Sequence, residues 1–394
     1  MKAEGLNTSG YWKSVLVVVT IFSVLKCRKA YEPPAIKASS HILAIDGVIN
    51  VGANSSTQFV LTRSRSLLDS VTDLPELGAD VTIRSATGTS YPLIDTGSNG
   101  IYVSQPLNLD PGQKYQLAVT TEEGSKYLSD LVTPKISAPI DSVNWEIVQD
   151  PSFGTEVVNV YVNSHDPANS TKFYRWDYLE TWMHVSTYES FWALGPGSLE
   201  YGLFPSQTTH TCWSTALSTS IYLGTTITLS SDVISQIKVA TIDKNDPKMD
   251  IKYSMLVRQY PLDQQAYTYW LNVQKNSQSL GGLFDLQPGQ LPGNVHGVTN
   301  SKDPVVGYVS ACSIGEQRIF ISNSQLPGWQ SNPSPNCPIQ YIAPPDPNNT
   351  VFWNYPDTSY QLYYYASGIM LITYKSCLNC TYQGGTLVKP DFWQ

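Results

Sequence analysis

Charge is scarce in this 394-residue chain, and positive charge is scarcer than negative. Only 14% of residues are charged, with 24 basic side chains against 32 acidic ones, for a formal net charge of −8. Such a balance repels phosphate backbones and anionic lipid surfaces, which argues against nucleic acid as a partner. Local signatures of common chemistries are missing too: there is no GxSxG elbow, HExxH pair, P-loop or dinucleotide glycine pattern. The five histidines (His41, His165, His184, His210, His296) are scattered, without ligand spacing to a carboxylate. The segment DKNDPKMD (243–250) gathers three aspartates but lacks the glycine and distal glutamate of a calcium loop. No catalytic residue, metal site or cofactor is therefore assigned, and an enzyme is not expected. No apolar run reaches the roughly 20 residues of a membrane-spanning helix.

The run that does exist is short and sits at the start. VLVVVTIFSVL (Val15–Leu25) follows the basic Lys2 and Lys13, as the apolar core of an export signal does. It stops at Lys26–Cys27. A cysteine directly after such a run is the acceptor of a lipoprotein signal, so residues 1–26 read as a signal peptide and Cys27 as the lipidated new terminus. Lys26 departs from the small residue usual at that place, which keeps an uncleaved anchor and plain secretion open as alternatives. Residues 27–40 follow as a tether, extended by Pro33–Pro34.

Aromatic residues are abundant: 25 Tyr, 10 Trp and 10 Phe, within a 41% hydrophobic chain. That profile fits a folded, β-rich, exported protein. From His41 the apolar residues alternate, or come in short runs between turn signals, as half-buried strands do. HILAIDGVI, TQFVLTRS, ADVTIRS, YPLIDT, GIYVSQ, KYQLAVTTE and SKYLSDLVT make seven strands over 41–135, the count of an immunoglobulin-like sandwich. That stretch has no Trp and no Cys, so it is not antibody-type. TPKISAPIDS (133–142) reads as the connection to a larger β-rich domain over 140–394. Its one exception is LDQQAYTYWLNVQKNSQSL (262–280), where Leu262, Ala266, Trp270 and Val273 recur at helical spacing behind Asp263. The fold class expected is all-β, with one sizeable helix.

FYRWDYLETW (173–182) puts Tyr174, Trp176, Tyr178 and Trp182 on one face of a strand. Three successive rings and, beyond Glu180, a fourth are either a stacking platform for a glycan or peptide ligand, or the interior of a sandwich, and the interior is the better reading. On the other face Arg175 and Asp177 are spaced to form a structural ion pair. Asp177 and Glu180 are three apart and so point to opposite faces, which weakens a glycan-active hydrolase as an alternative.

Besides Cys27 there are Cys212, Cys312, Cys337, Cys377 and Cys380, an odd number, so at least one is unpaired. In an exported protein disulfides are the default, and Cys377 or Cys380 is expected to bond Cys337 or Cys212. Cys377-Leu-Asn-Cys380 has redox spacing but follows an aromatic strand instead of opening a helix in a βαβ unit. The other cysteines are too isolated for a four-thiolate zinc site.

The tether YEPPAIKA, the strand DGVIN, and the runs TRSRSLLD, PELGADVTI, APIDSVNW, KYSMLVRQY, AYTYW, GGLFDLQPGQLPGN and GYVSA resemble one family. The most specific piece is VNSHDPANSTKFYRWDY, and CLNCTYQGGTLVKPDFW is similar to the family's ending. The family is that of Bacteroidota lipoproteins catalogued as domain of unknown function 4249. The resemblance implies an outer-membrane lipoprotein, with an immunoglobulin- or transthyretin-like first domain and a TonB-dependent outer-membrane receptor as partner. It carries no catalytic residues. Arg28 and Lys29 stand where cell-surface lipoproteins of that phylum have acidic residues, so the leaflet stays open. The function expected is a non-enzymatic accessory in nutrient uptake, held to the membrane by its lipid; adhesion or envelope scaffolding is the alternative.

Overall fold

The computed structural model describes residues 42–64, 74–97, 99–152, 154–195, 198–201, 208–278, 293–329, 337–342, 360–366 and 369–394. The signal, Cys27 and the tether lie outside them. The first seven strands are β1 (Leu43–Asn50), β2 (Gln58–Arg63), β3 (Asp80–Ser85), β4 (Ser90–Asp95), β5 (Ile101–Ser104), β6 (Tyr115–Thr120) and β7 (Lys126–Ser129). Each expected strand is present, because alternation decides which side chains turn inward. In β3, Val81, Ile83 and Ser85 are buried while Asp80 and Arg84 face out; in β6, Tyr115, Leu117 and Val119 go inward. These residues join Phe59, Leu61, Leu93 and Tyr102 in one core.

Strand order identifies the architecture. β1, β2, β5 and β4 are successive neighbours, and so are β3, β6 and β7, which is the ABED and CFG arrangement of a constant-type immunoglobulin domain. The β3–β4 hairpin links the two groups. Tyr115, at the start of the sixth strand, donates its hydroxyl to the Asp110 carbonyl at 2.9 Å, the tyrosine corner of that fold.

The larger part adds β8 (Ile140–Asp150), β9 (Thr155–His165), β10 (Phe173–Val185), β11 (Trp192–Gly195), β12 (Ser198–Tyr201), β13 (Thr211–Leu217), β14 (Tyr222–Thr225), β15 (Val233–Asp243) and β16 (Lys252–Leu262). A helix, Gln264–Gln278, follows. Then come β17 (Val295–Gly297), β18 (Val305–Val306), β19 (Ser310–Cys312), β20 (Gly315–Ser322), β21 (Gln340–Ile342), β22 (Tyr360–Ala366) and β23 (Ile369–Tyr374). The sheet β15-β9-β8 faces the sheet β13-β10-β16-β20, to which β14 adds along β10. Val158, Val160 and Val162 of one sheet interleave with Tyr174, Trp176, Tyr253, Met255 and Val257 of the other. Gly224 makes this fit possible. It stands opposite Tyr174, and a Cβ there would lie 2.8 Å from the Trp176 ring.

The helix expected over 262–280 runs over Gln264–Gln278, with residues 279–280 outside the described set. Asp263 is its cap, accepting the Ala266 amide at 2.7 Å. The helix lies at the seam between the two sandwiches: Ala266, Tyr269, Trp270 and Val273 pack with Tyr260, Leu262, Tyr308 and Cys312.

Two features differ from the sequence reading. The apolar run VVGYVSACS (305–313) reads in sequence as a single strand but is split into β18 and β19, because the Asn294 side chain takes both backbone groups of Val309 (2.7 and 2.8 Å) in place of a ladder. Gly307 in the gap passes so close to β1 that a Cβ would lie 2.5 Å from the Ile45 carbonyl oxygen. These late strands also do not stay with the second part. β18 and β19 pair in parallel with β1, and β17 pairs with β7, so residues 295–312 return to extend both ends of the first sandwich.

Candidate functional site

The aromatic strand β10 is the first place to look. Tyr174 and Trp176 are fully buried and stack on one another, with ring centroids 5.7 Å apart. The Tyr174 hydroxyl donates to Asp232 at 2.6 Å, and the Trp176 indole N–H donates to Gln259 Oε1 at 2.9 Å. Gln259, itself buried, donates onward to the Ala138 carbonyl and to Ser164, both at 3.0 Å. Tyr178 and Trp182 are half-buried against the same core. Between Tyr174 and Trp176 no ring face is left for a ligand. The pair fills the second sandwich, and its polar tips tie the sheets to the 133–142 connection.

The opposite face holds the charges. Arg175 and Asp177 lie 3.8 Å apart, but the tighter partner of Asp177 is Arg258, whose Nε donates at 2.6 Å from the neighbouring strand. The Arg175 guanidinium lies 4.3 Å from the Tyr260 ring centre and 4.2 Å from that of Trp270, a stacked cation that pins the helix to the sheet. Sequence spacing pointed to the i, i+2 pair and missed Arg258, Tyr260 and Trp270. No local sequence signal marks them; the register of β10 against β16, seen only in the fold, sets Asp177 opposite Arg258 and Arg175 opposite Tyr260.

Glu180 is on the inner face. It accepts from Lys248 Nζ and, at 3.0 Å, from the Tyr253 hydroxyl. Asp177 and Glu180 are thus separated by the sheet and each is engaged by its own cation, which is not the shared-cleft geometry of a glycosidase pair.

Two disulfides form: Cys212–Cys380 and Cys337–Cys377. They staple the segments around β21 and β23 to β13, and Thr386 bridges Trp213 beside them. Cys312 is free and fully buried, and burial pushes its thiol up to about 12, so it is inert at neutral pH. Among the described residues no group of three or more His, Cys, Asp or Glu is placed to hold a metal, and no helix is long and apolar enough to cross a membrane.

Open space lies at the seam. One cleft of about 490 Å³ is lined by Asp130, Gln264, Thr268, Tyr269, Asn272 and Tyr308. A second, of about 390 Å³, is lined by Asp46, Val60, Thr62, Tyr269, Trp270 and Tyr308. Tyr269 and Tyr308, both largely buried with ring centroids 5.4 Å apart, contribute to the lining of both clefts. Burial, and then the Asp46 carboxylate, push the Tyr269 hydroxyl up to about 12. Tyr308 is raised by burial and then by Asp263 and Asp130. Periodicity had pointed to Trp270 as a packing residue of the helix. Nothing in the sequence signalled the clefts, because their other walls come from distant segments: Asp130, Gly293 and Asn294 for the first, and β1 and β2 for the second.

Tandem β-sandwiches with one helix packed at their seam, and clefts beside it, make this a mostly β protein with a single sizeable helix among the described residues. The chain belongs to the family described as "Domain of unknown function (DUF4249)", whose profile matches residues 28–318. A search of curated proteins finds no match. The matched span takes in both sandwiches and the seam helix and ends within β20, before the disulfide-stapled segment.

Proposed function

We propose that this protein is a non-enzymatic lipoprotein of the outer membrane, tethered through an acylated Cys27, that acts by contact as an accessory of a TonB-dependent receptor in nutrient uptake. The observation that carries the extracytoplasmic part is the pair of disulfides, Cys212–Cys380 and Cys337–Cys377. Such bonds persist in oxidising compartments and are rare in the cytosol. The basic, then apolar, leader ending at Cys27 supports the same address. Action by contact is supported by the engagement of the β10 side chains suited to chemistry: Asp177 with Arg258, Glu180 with Lys248 and Tyr253, and Tyr174 with Asp232.

The test is fractionation of native envelopes, mass spectrometry of the mature terminus, and co-purification under mild detergent. The expected result is a diacyl or triacyl mass on Cys27 and recovery of the tagged protein with a receptor barrel. An unmodified thiol in the soluble fraction overturns the anchor. Recovery without any barrel overturns the receptor partnership, whatever the anchor.

A further inference from the structure

Cys377 and Cys380 stand three residues apart yet belong to different disulfides, Cys337–Cys377 and Cys212–Cys380. The turn between them is compact. Cys377 and Leu378 complete a single helical turn, Lys375–Leu378, and Asn379 follows in extended conformation, at φ −129° and ψ 109°. A helical residue followed by an extended one is the pattern of a type VIII turn, and a β-turn keeps its outer Cα atoms within about 7 Å. Bridged cysteines need Cα atoms about 4.4–6.8 Å apart, so the backbone already holds Cys377 near bonding reach of Cys380. Access to the four sulfurs is uneven. Cys212, Cys377 and Cys380 are buried, and Cys337 is half-buried. A thiol arriving from solvent therefore meets Cys337 first. Attack there expels Cys377 as the thiolate, the form that opens disulfides. That thiolate has Cys380 within reach, where solvent thiols do not.

We propose that these four cysteines form a redox-sensitive clasp, in which a dithiol that opens Cys337–Cys377 also frees Cys212, because Cys377 takes Cys380 as its new partner. One thiolate of the dithiol bonds the Cys337 sulfur, and the Cys337–Cys377 bond breaks. The second sulfur of the dithiol closes on the first, and Cys337 leaves as a thiol. Cys377 bonds the Cys380 sulfur, and the Cys212–Cys380 bond breaks. The dithiol ends as a disulfide, and its two protons pass to Cys337 and Cys212. Bonds spanning 168 and 40 residues give way to one spanning three. A single reductant thus cuts both long-range ties. Before exchange, β13 is joined covalently to the turn that follows Cys380; afterwards only the paired backbone bonds of Trp213 with Thr386, both 2.9 Å, hold that turn to the strand. β13 is an edge of its sheet, so residues 380–386 are then free to part from that edge. The clasp is independent of the lipid anchor and of the receptor partnership.

The test is partial reduction of the purified full chain with limiting dithiothreitol, quenched with iodoacetamide and mapped by mass spectrometry without further reductant. The principal reduced species is expected to carry label on Cys337 and Cys212 in equal amounts, with Cys377 and Cys380 joined to each other. Label on Cys337 and Cys377, with Cys212–Cys380 intact, means that the two staples act separately and overturns the proposal. Cys312, free and fully buried, reports the state of the fold. It is expected to stay unlabelled. If it labels together with Cys212, the exchange runs through unfolded chains, and that also overturns the clasp.

Cys377→Ser removes the relay sulfur and leaves Cys212–Cys380 in place. In that variant the same reductant is expected to release Cys212 at least about ten-fold more slowly, since the attacking thiol is no longer held beside its target. Release at the parent rate means that solvent thiols reach Cys212–Cys380 unaided, and the relay is overturned. Should the variant not fold, partial reduction of the parent protein still decides, because it needs no substitution.

Discussion

Replacing Trp176 separates a ligand platform from a core residue, because the two roles fail in different assays. The indole is fully buried between the sheets of the second sandwich, and its N–H is held by Gln259 at 2.9 Å. Trp176→Phe keeps most of the ring and removes that donor. Gln259 Oε1 is then buried without its partner, while Nε2 keeps Ala138 and Ser164. An orphaned buried acceptor costs about 1–3 kcal/mol. Trp176→Ala opens a cavity as well, and truncations of that kind cost about 3–5 kcal/mol. At roughly 2–4 °C per kcal/mol, the Phe variant melts several degrees low and the Ala variant lower still. The assay is thermal unfolding followed by near-ultraviolet circular dichroism, with denaturant titration as a second measure. A Trp176→Ala protein that melts like the parent and only loses a ligand would refute the core assignment.

Two further outcomes follow from other parts of the fold. Asp166 accepts from the amides of Ala168, Ser170 and Thr171 and from the Ser170 hydroxyl, and these bonds, acting against its partial burial, bring its pKa to about 2 from 3.8. A lowered folded pKa stabilises above 3.8, and that contribution disappears as pH falls through about 2. Asp166→Asn is therefore expected to cost about 1 kcal/mol at pH 7, discounted for solvent exposure, and to converge on the parent only as the pH falls below about 2 in acid titrations of the melting point. For the disulfides, peptide mapping without reductant is expected to recover Cys212 with Cys380 and Cys337 with Cys377. Cys212→Ser/Cys380→Ser is expected to lower stability by about 2–5 kcal/mol in a non-reducing melt. A melt unchanged by reductant would remove that staple from the account.

Much of the fold was legible in local pattern. Val81, Ile83, Leu117 and Val119 alternate with polar neighbours, and a period of two leaves little choice of inner face. Asp263, Ala266 and Trp270 announced the helix in the same way, through an acidic start that suits the helix dipole and a 3.6 period, and Asp263 is in addition its cap. The burial of Tyr174 and Trp176 was also the favoured reading, since sandwich interiors need large rings with a polar tip. What local pattern does not encode is pairing between distant segments. Arg258 opposite Asp177, Asn294 against Val309, and the ring contact of Tyr269 with Tyr308 arise from tertiary register, which a single sequence leaves unspecified. Cysteine counting stopped at the same limit: it named the four partners but could not choose between the two pairings.

The return of residues 295–312 to the first sandwich sets a schedule for its completion. A chain synthesised from its amino end exposes β1 and β7 long before their outer neighbours arrive. In that interval both rims carry unmatched amides and carbonyls, the feature by which half-built sheets capture stray strands. The opening module therefore closes only after nearly the whole second module has been made, and a truncation ending in the 133–142 connection would be born with two adhesive borders.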